Sequence, residues 1–594
     1  MDDSYNKNGV ASWSSGKVPY LLTTGPLIAK AYWRLLQAYL EDCERNTVFD
    51  EPSEVVYVVE LGAGTGRLAW NFMSYYKRFP SRQKIVYVLS DVIKDNIDFW
   101  SGHKYLNALA KEGLIDYAHY DVLRDTEINL LVSKKKIAPG TAKAPTVFLA
   151  NYLFDVLPQD LFCVSSSETF EESVMPVGDD PGINWDSPDL LSRLWFAVDR
   201  KSIDSTNYYE DDFLNAVLRK AADFYRSCLS DEEDPVRFLF PKAPLVALKN
   251  LHNLTDGNMM LLVAERPGGI RQDSENEEEE KEGSEVPGLS DNPSPETRLR
   301  RKQKVSVEGK KEAICPANLL SMGVHGSTFS LPVDMNILSI AASHSGGELL
   351  RADPVPVGLE VCAFLFTQGE PLSLREEFYM SVAEQSPEEL FLVLYQLRHH
   401  KKELSLADLV IAIRASGYDA HFLFQVYDRL QELLTQEPPD KTDEVARVLL
   451  EVDSRHFPMD IFVNNALREL PKTDSSGITD TQDIEPGGVV PATDFDCADK
   501  TDISDDKDAK KSVDLASLMA TLLASVGEID AALELLYRHR ERRGPRPAET
   551  FNMAVCLFLQ GKTDPAAERL KEVLSLDPAH KKAQQFLKQI RDLQ

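Results

Sequence analysis

Residues Val58 to Arg67 read Val58-Val59-Glu60-Leu61-Gly62-Ala63-Gly64-Thr65-Gly66-Arg67, an acid followed by three alternating glycines. Glycines permit a tight turn and let a ligand approach the backbone. The acid beside them can fix the cationic end of a ligand. The spacing narrows the ligand further. A dinucleotide fingerprint needs Gly-x-Gly-x-x-Gly, but position 67 is arginine, so the third glycine comes one residue early. A phosphate loop would close with Gly-Lys-Ser/Thr, and that sequence is absent here. The alternative is a glycine-rich turn in some other α/β protein, with no ligand.

The elements that must position these residues are legible from their rhythm. Val55, Val56, Tyr57 and Val58 lead into Glu60 as a buried strand, and Arg67-Leu68-Ala69-Trp70 begins a helix. Asp91 follows Glu60 by 31 residues, Asp121 follows Asp91 by 30, and Asn151 follows Asp121 by 30. Each of the three closes an apolar run: Ile85 to Leu89, Leu114 to Ala118, and Val147 to Ala150. A βα unit in a parallel sheet takes about 30 residues, so four such strands imply right-handed crossovers and one open sheet. Ligands of such sheets bind beyond the carboxyl ends of the strands, where all four polar residues fall. An acid after the second strand can accept both ribose hydroxyls, and one after the third can accept an adenine amino group. Taken singly, Asp91 or Asp121 could equally be a helix cap. Together with the glycines, the set resembles the S-adenosylmethionine sites of Rossmann-like methyltransferases. On that reading Glu60, Gly62, Gly64, Gly66, Asp91 and Asp121 bind the cofactor.

A family resemblance joins this reading at the fourth strand. Ala150-Asn151-Tyr152-Leu153-Phe154-Asp155-Val156-Leu157-Pro158 resembles the Ala-Asn-Glu-Phe-Phe-Asp-Ala-Leu-Pro motif of the MidA-type methyltransferases. That family includes the mitochondrial complex I assembly factor that methylates a protein arginine. Tyr20 to Ile28 resembles the family's Phe-x-Thr-Ser-Pro-Glu-Ile stretch before its first helix, and His325 to Asn336 is weakly similar to a late Asp-x-Thr-x-His-Val-Asp-Phe region. The resemblance covers roughly residues 15 to 350. It implies a seven-stranded Rossmann-like class I methyltransferase sheet and methyl transfer from S-adenosylmethionine. The chain departs from the family at Tyr152, which stands where the family has an acid. If that acid grips a guanidinium, arginine as the acceptor is in doubt here.

Composition bounds the remainder. At 594 residues the chain exceeds one core. The formal charge of −30 argues against nucleic-acid or acidic-lipid partners, because phosphate binding needs a basic surface. Seven scattered cysteines without Cys-x-x-Cys fit a reducing compartment and no structural zinc. No metal site is expected. The start, Met1-Asp2-Asp3-Ser4-Tyr5, has neither an apolar signal core nor the arginine-rich character of a mitochondrial presequence. No apolar run approaches the roughly 20 residues of a membrane span. The expected location is cytoplasmic; mitochondria enter only by family analogy.

Low-complexity stretches divide the chain. Residues 1–375 are expected to form the methyltransferase domain, with an acidic disordered insertion at 271–313 that carries Glu277 to Glu280. Residues 376–472 are helix-patterned, and 473–512 read as a disordered linker. Residues 513–594 read as tetratricopeptide repeats: Gly527 and Gly561 are 34 residues apart, and Ala520/Ala554, Asp530/Asp564, Ala532/Ala566 and Leu536/Leu570 hold the same register. The fold class is therefore α/β followed by an all-α region of tetratricopeptide type. The basic run Arg538 to Arg543 reads as a solvated helix end or as a surface for acidic partner segments.

Methyl transfer needs close positioning of the nucleophile, and a protonated acceptor needs a group to take its proton. Asn151 and Asp155 lie beyond the fourth strand and are the candidate catalytic pair; if Asn151 starts a helix, Asp155 is one turn on, facing the same side. His325 is a further candidate, against the alternative of a loop histidine. The expected function is methylation of a protein acceptor or complex recruited by the repeats. The alternatives are a catalytically weak or inactive scaffold acting through those repeats in complex assembly, and a small-molecule methyltransferase.

Overall fold

A computed structural model describes residues 21–46, 48, 54–141, 144–178, 194–229, 235–269, 305–307, 311–314, 323–325, 328–352, 359–366, 369–436, 442–455, 498–499, 512–513, 515–525 and 528–593. The chain forms two compact units, Met1–Glu389 and Leu390–Gln594.

The first unit is built on a seven-stranded sheet. Its strands are β1 (Val55–Leu61), β2 (Lys84–Asp91), β3 (Ile115–His119), β4 (Thr146–Asn151), β5 (Met259–Glu265), β6 (Glu348–Arg351) and β7 (Glu360–Phe366), in the spatial order β6-β7-β5-β4-β1-β2-β3. β1 pairs in parallel with β2 and β4, β2 with β3, and β4 with β5, whereas β7 runs antiparallel to both β5 and β6. The strands are near-continuous apolar runs because both faces are covered, as expected for a parallel sheet with helices on each side. The order of the strands reverses between β1 and β4, so a crevice opens at their carboxyl ends. The architecture is consistent with the α/β methyltransferase-like sheet that the resemblance implies.

Helix α1 (Pro26–Arg45) precedes β1, α2 (Arg67–Arg78) follows the glycine turn, and α3 (Lys94–Gly102) follows β2. α1 buries Ile28, Tyr32, Leu35, Leu36 and Tyr39. Its far end is clasped to the last part of the unit. Asp42 accepts from the backbone N–H of Ser373 (3.0 Å) and Leu374 (2.8 Å), and Arg34 pairs with Glu377 at 2.7 Å. Glu388 accepts from Leu359 N at 2.9 Å just ahead of β7. These contacts tie residues 372–388 to the first unit, which therefore runs past the boundary expected at 375.

A six-stranded antiparallel sheet that the sequence reading did not anticipate takes four strands from the stretch between β4 and β5 and two from beyond β5. Its strands order as Val236–Phe240, Asp160–Val164, Thr169–Gly178, Leu194–Ile203, Lys311–Ile314 and Val305–Val307. The last two strands fall at the end of the stretch read as an unfolded insertion; Ala313 and Ile314 pair with Ala197 and Phe196 of the neighbouring strand. Residues 270–304 lie outside the described residues.

The second unit is largely helical. Its helices include Leu406–Ala415, Ala420–Gln436, Thr442–Arg455, Leu515–Ser525, Ile529–Arg543, Pro547–Leu559, Thr563–Leu576 and Lys581–Leu593. Ala520, Ala532, Leu536, Ala554, Ala566 and Leu570 are all fully buried, as packing residues of adjacent helices. Gly527 lies outside the described residues. Within the stretch read as a linker, Ala498–Asp499 pairs with Ser512–Val513; its other residues lie outside the described ones. The basic run is not simply solvated: His539 is buried against Asp453, Arg540 pairs with Glu572, and Arg538 with Glu534. Among the described residues, no helix is long and apolar enough to cross a membrane.

Candidate active site

The carboxyl ends of β3, β2, β1, β4 and β5 carry Asp121, Asp91, Glu60, Asn151 and Glu265 in that order across the sheet. The glycine turn joins β1 to α2. Gly62, Gly64 and Gly66 all have positive φ, at 69°, 51° and 76°. For Gly66 the packing adds a second reason: a Cβ there would stand 2.8 Å from Leu89 Cδ2 and 3.1 Å from Leu106 Cδ1. The third glycine thus lets the start of α2 sit against β2.

The turn is stitched to β2 on both sides. Ala63 N donates to Ser90 O (3.0 Å) and Ser90 Oγ donates to Glu60 O (2.7 Å). Asp91 Oδ2 accepts from Gly64 N (3.2 Å) and Asn96 Nδ2 (2.8 Å), and its Oδ1 accepts from Ile93 N (2.9 Å). Trp100 Nε1 donates to Gly64 O at 2.9 Å. Asp91 therefore braces the turn as well as marking the end of β2. Burial raises its pKa, against the pull of these donors. Asp121 sits in a turn of its own, accepting from Leu123 N (2.9 Å) and pairing with Arg124 at 3.5 Å, with its side chain partly exposed.

Glu60 is the electrostatic oddity of the site. Its side chain is buried, accepts from the Tyr87 hydroxyl at 2.9 Å, and pairs with no lysine or arginine among the described residues. Burial pushes its carboxyl up to about 8, with the Tyr87 hydroxyl pulling it down and Asp91 pushing it further up. A buried acid without a cation favours its neutral form, and a cationic ligand reverses that preference.

The turn after β4 is built differently. Asn151 ends the strand with both ends of its amide engaged: Tyr32 OH donates to Oδ1 (2.6 Å), and Nδ2 donates to Thr23 O (2.9 Å). No α-helix starts here, so the condition that would set Asp155 one helical turn beyond Asn151 is not met. Tyr152 takes φ +49°, and a short 3-10 helix spans Phe154–Val156. The cause is Glu265, fully buried at the end of β5. Its carboxylate accepts from Leu153 N (2.7 Å), Phe154 N (2.6 Å) and Asp155 N (3.3 Å), which draws the chain into a tight turn.

Asp155 is buried, and its Oδ1 has no hydrogen-bond partner among the described residues. Burial pushes its carboxyl up to about 6, while the Arg266 guanidinium and the Ser330 hydroxyl pull it down. Glu265 is likewise raised by burial and by the charge of Asp155. Burial and the charge of Asp155 also raise the Tyr152 phenol.

The two turns meet: a Cβ on Gly62 would lie 3.5 Å from Leu153 Cδ1. The site residues read from sequence thus converge on one sheet edge, with Asp91 bonded directly to the glycine turn and Asp121 held apart in its own loop. Glu265, Arg266 and Tyr32 escaped the sequence reading. Glu265 had a signal, because it ends the run Met259 to Ala264 as Glu60 ends its own. His325 pairs through its backbone with Thr328; its side chain lies outside the described residues. Asp334, in the weakly similar late region, is a buried helix cap that accepts from Asn336 N at 2.9 Å and from the Tyr225 hydroxyl. Among the described residues, no group of three His, Cys, Asp or Glu side chains could hold a metal ion.

Comparison with known proteins bears on this edge. Residues 43–261 match the model of a family described as "Putative S-adenosyl-L-methionine-dependent methyltransferase". A crystal structure of an uncharacterized protein from Burkholderia thailandensis aligns with 12% identity over 72% of this chain and 79% of that one, at a TM-score of 0.32. No curated protein matched the chain. The family match begins in α1 and runs into β5, so it encloses the glycine turn, Asp91, Asp121 and the turn after β4. At that level it supports the S-adenosylmethionine-dependent methyltransferase resemblance carried by Glu60 to Gly66 and Ala150 to Pro158.

Proposed function

We propose that the first unit binds S-adenosylmethionine at the glycine turn and transfers its methyl group to an acceptor held at the turn after β4. The observation that carries this is Glu60, a buried acid with no lysine or arginine beside it among the described residues, next to three positive-φ glycines. A ligand with a cationic amino-acid end gives that acid its counter-charge, and the glycines leave space for the rest. The bound cofactor supplies an electrophilic methyl on a sulfonium sulfur.

The chain's own residues do the remainder. Glu60 fixes the ligand's charged end, and Asp91 and Asp121 offer carboxylates along the neighbouring strand ends. Asp155 presents a buried oxygen, unpaired among the described residues, where the acceptor would sit. Its carboxyl, near 6, is largely ionised at neutral pH, so it can take a proton from an acceptor as its bond to carbon forms. Asn151 is engaged at both ends and holds structure instead of reacting. In this proposal the acceptor is a protein, recruited by the C-terminal helices, whose 34-residue register supports a tetratricopeptide reading.

Calorimetry on the full chain tests the cofactor. S-adenosylmethionine and its demethylated product should bind while NAD does not, and Glu60→Gln should weaken binding about tenfold or more. Absence of S-adenosylmethionine binding by the unmodified chain would overturn the proposal. Incubating lysate with labelled donor then identifies the acceptor.

A further inference from the structure

Three side chains from two elements converge on the backbone of Leu21 to Thr24. Arg67, immediately after the third glycine, donates from NH1 to Leu21 O (3.3 Å) and to Thr24 Oγ1 (3.1 Å). Asn71, one turn further along α2, donates from Nδ2 to Thr24 O at 2.8 Å. Asn151, at the end of β4, donates to Thr23 O at 2.9 Å and is itself oriented by the Tyr32 hydroxyl. One set of anchors lies on α2, which leaves the glycine turn, and the other at the end of β4, beside β1 in the sheet, so the segment is fastened to both elements that flank the crevice between β1 and β4. Its path is tight, since a Cβ on Gly25 would lie 2.7 Å from Leu21 O. Thr23 and Arg67 are both buried residues.

We infer that Leu21–Thr24 is a strap forming a wall of the cofactor pocket, and that Asn151 is the positioning residue that holds it shut. The inference rests on the cofactor reading above and deepens it. Hydrogen bonds that fasten the strap add to ligand retention only while the strap is docked, so their loss speeds ligand escape. An amide is suited to this post because it donates to a carbonyl and accepts from a phenol at the same time. Asparagine here therefore needs no part in the chemistry.

The test compares full-length wild type with Asn151→Ala and with the milder Tyr32→Phe, using S-adenosylmethionine as the probe. Asn151→Ala should weaken binding about tenfold through faster dissociation, and Tyr32→Phe about threefold. Trypsin cleavage at Lys30, an exposed residue near the start of α1, gives a readout that a purely structural contact would not move. Bound S-adenosylmethionine should slow that cleavage in wild type and protect Asn151→Ala far less. Affinity within twofold of wild type in both variants, or equal protection of Lys30, overturns the strap. Loss of methyl transfer at unchanged affinity would instead place Asn151 on the acceptor and overturn it as well. Wild-type protein that binds no S-adenosylmethionine overturns the cofactor reading itself and the strap with it.

Discussion

The two turns at the mouth of the crevice do similar jobs by opposite means. The turn after β1 gets its shape from its own residue types, three glycines with positive φ, and its partners lie 27 to 36 residues away in β2 and α3. The turn after β4 contains no glycine, places a tyrosine at φ +49°, and is held by a carboxylate 110 to 112 residues further along the chain. A non-glycine residue in that region is strained and persists only where its surroundings dictate it. One turn is written locally, whereas the other is imposed from a distance.

The largest effect should come from removing that distant support. Glu265→Ala strands two buried N–H groups, those of Phe154 and Asp155, at roughly 1–3 kcal/mol each, a loss of about 2–6 kcal/mol of stability, visible as a fall in the denaturation midpoint. If the midpoint barely moves, the turn after β4 holds itself and the contrast fails.

The glycines divide next. Gly66→Val combines left-handed strain with overpacking against Leu89, about 2–5 kcal/mol in total, and should destabilise the fold. Gly64→Val should instead abolish S-adenosylmethionine binding in calorimetry while costing about 1–2 kcal/mol of fold stability. Equal affinity of Gly64→Val and wild type would remove the ligand from the first turn.

A smaller effect concerns protons. The raised carboxyl of Glu60 must ionise to pair with a cationic ligand, so affinity should rise as pH goes from about 6 to about 8, at most about tenfold per unit. Glu60→Gln should flatten this rise. The sign is opposite for stability: the folded state holds the Glu60 proton up to about 8, so this group's contribution to stability falls as pH climbs from the unfolded carboxyl range through that value.

The smallest effect is expected far from both turns. Replacing residues 272–304 with a short Gly-Ser loop should leave cofactor affinity within about twofold, since loop-closure entropy changes slowly with length. Extending the deletion to 314 strips a hairpin from the Leu194–Ile203 strand and should lower the melting temperature. Equal melting temperatures for the two deletions would mean that the hairpin adds nothing to the sheet.

The same contrast explains what could be read from the sequence. The four strand ends at Glu60, Asp91, Asp121 and Asn151 were legible because a buried parallel strand must be apolar and must stop at a polar residue. Glu265 obeys that rule too, but it follows Asn151 by 114 residues. The inserted sheet stretches that interval far beyond one βα unit and breaks the 30-residue rhythm that revealed the others. The inserted sheet itself was missed because its strands mix polar and apolar residues and, being antiparallel, follow no βα rhythm. Glu171 and Glu172 sit inside one of them, and Glu172 is buried only because Arg200 and Arg237 pair with it. The 3-10 turn after Asn151 was illegible for a related reason: local propensity cannot register a carboxylate that arrives from β5. In the second unit the small buried residues were legible from their register, whereas the pairing of His539 with Asp453 spans 86 residues and left no local mark.

The clasp between α1 and the segment after β7 has a consequence for synthesis. Asp42 leaves the ribosome early, but the backbone groups it caps belong to Ser373 and Leu374, 331 and 332 residues later. Glu265 is likewise translated long after the turn it shapes. A nascent chain halted ahead of Ser373 carries every glycine of the motif yet lacks the backbone groups that Asp42 holds at the far end of α1. The clasp therefore cannot close until nearly the whole first unit has been translated, so the unit completes its fold late, as larger chains commonly do.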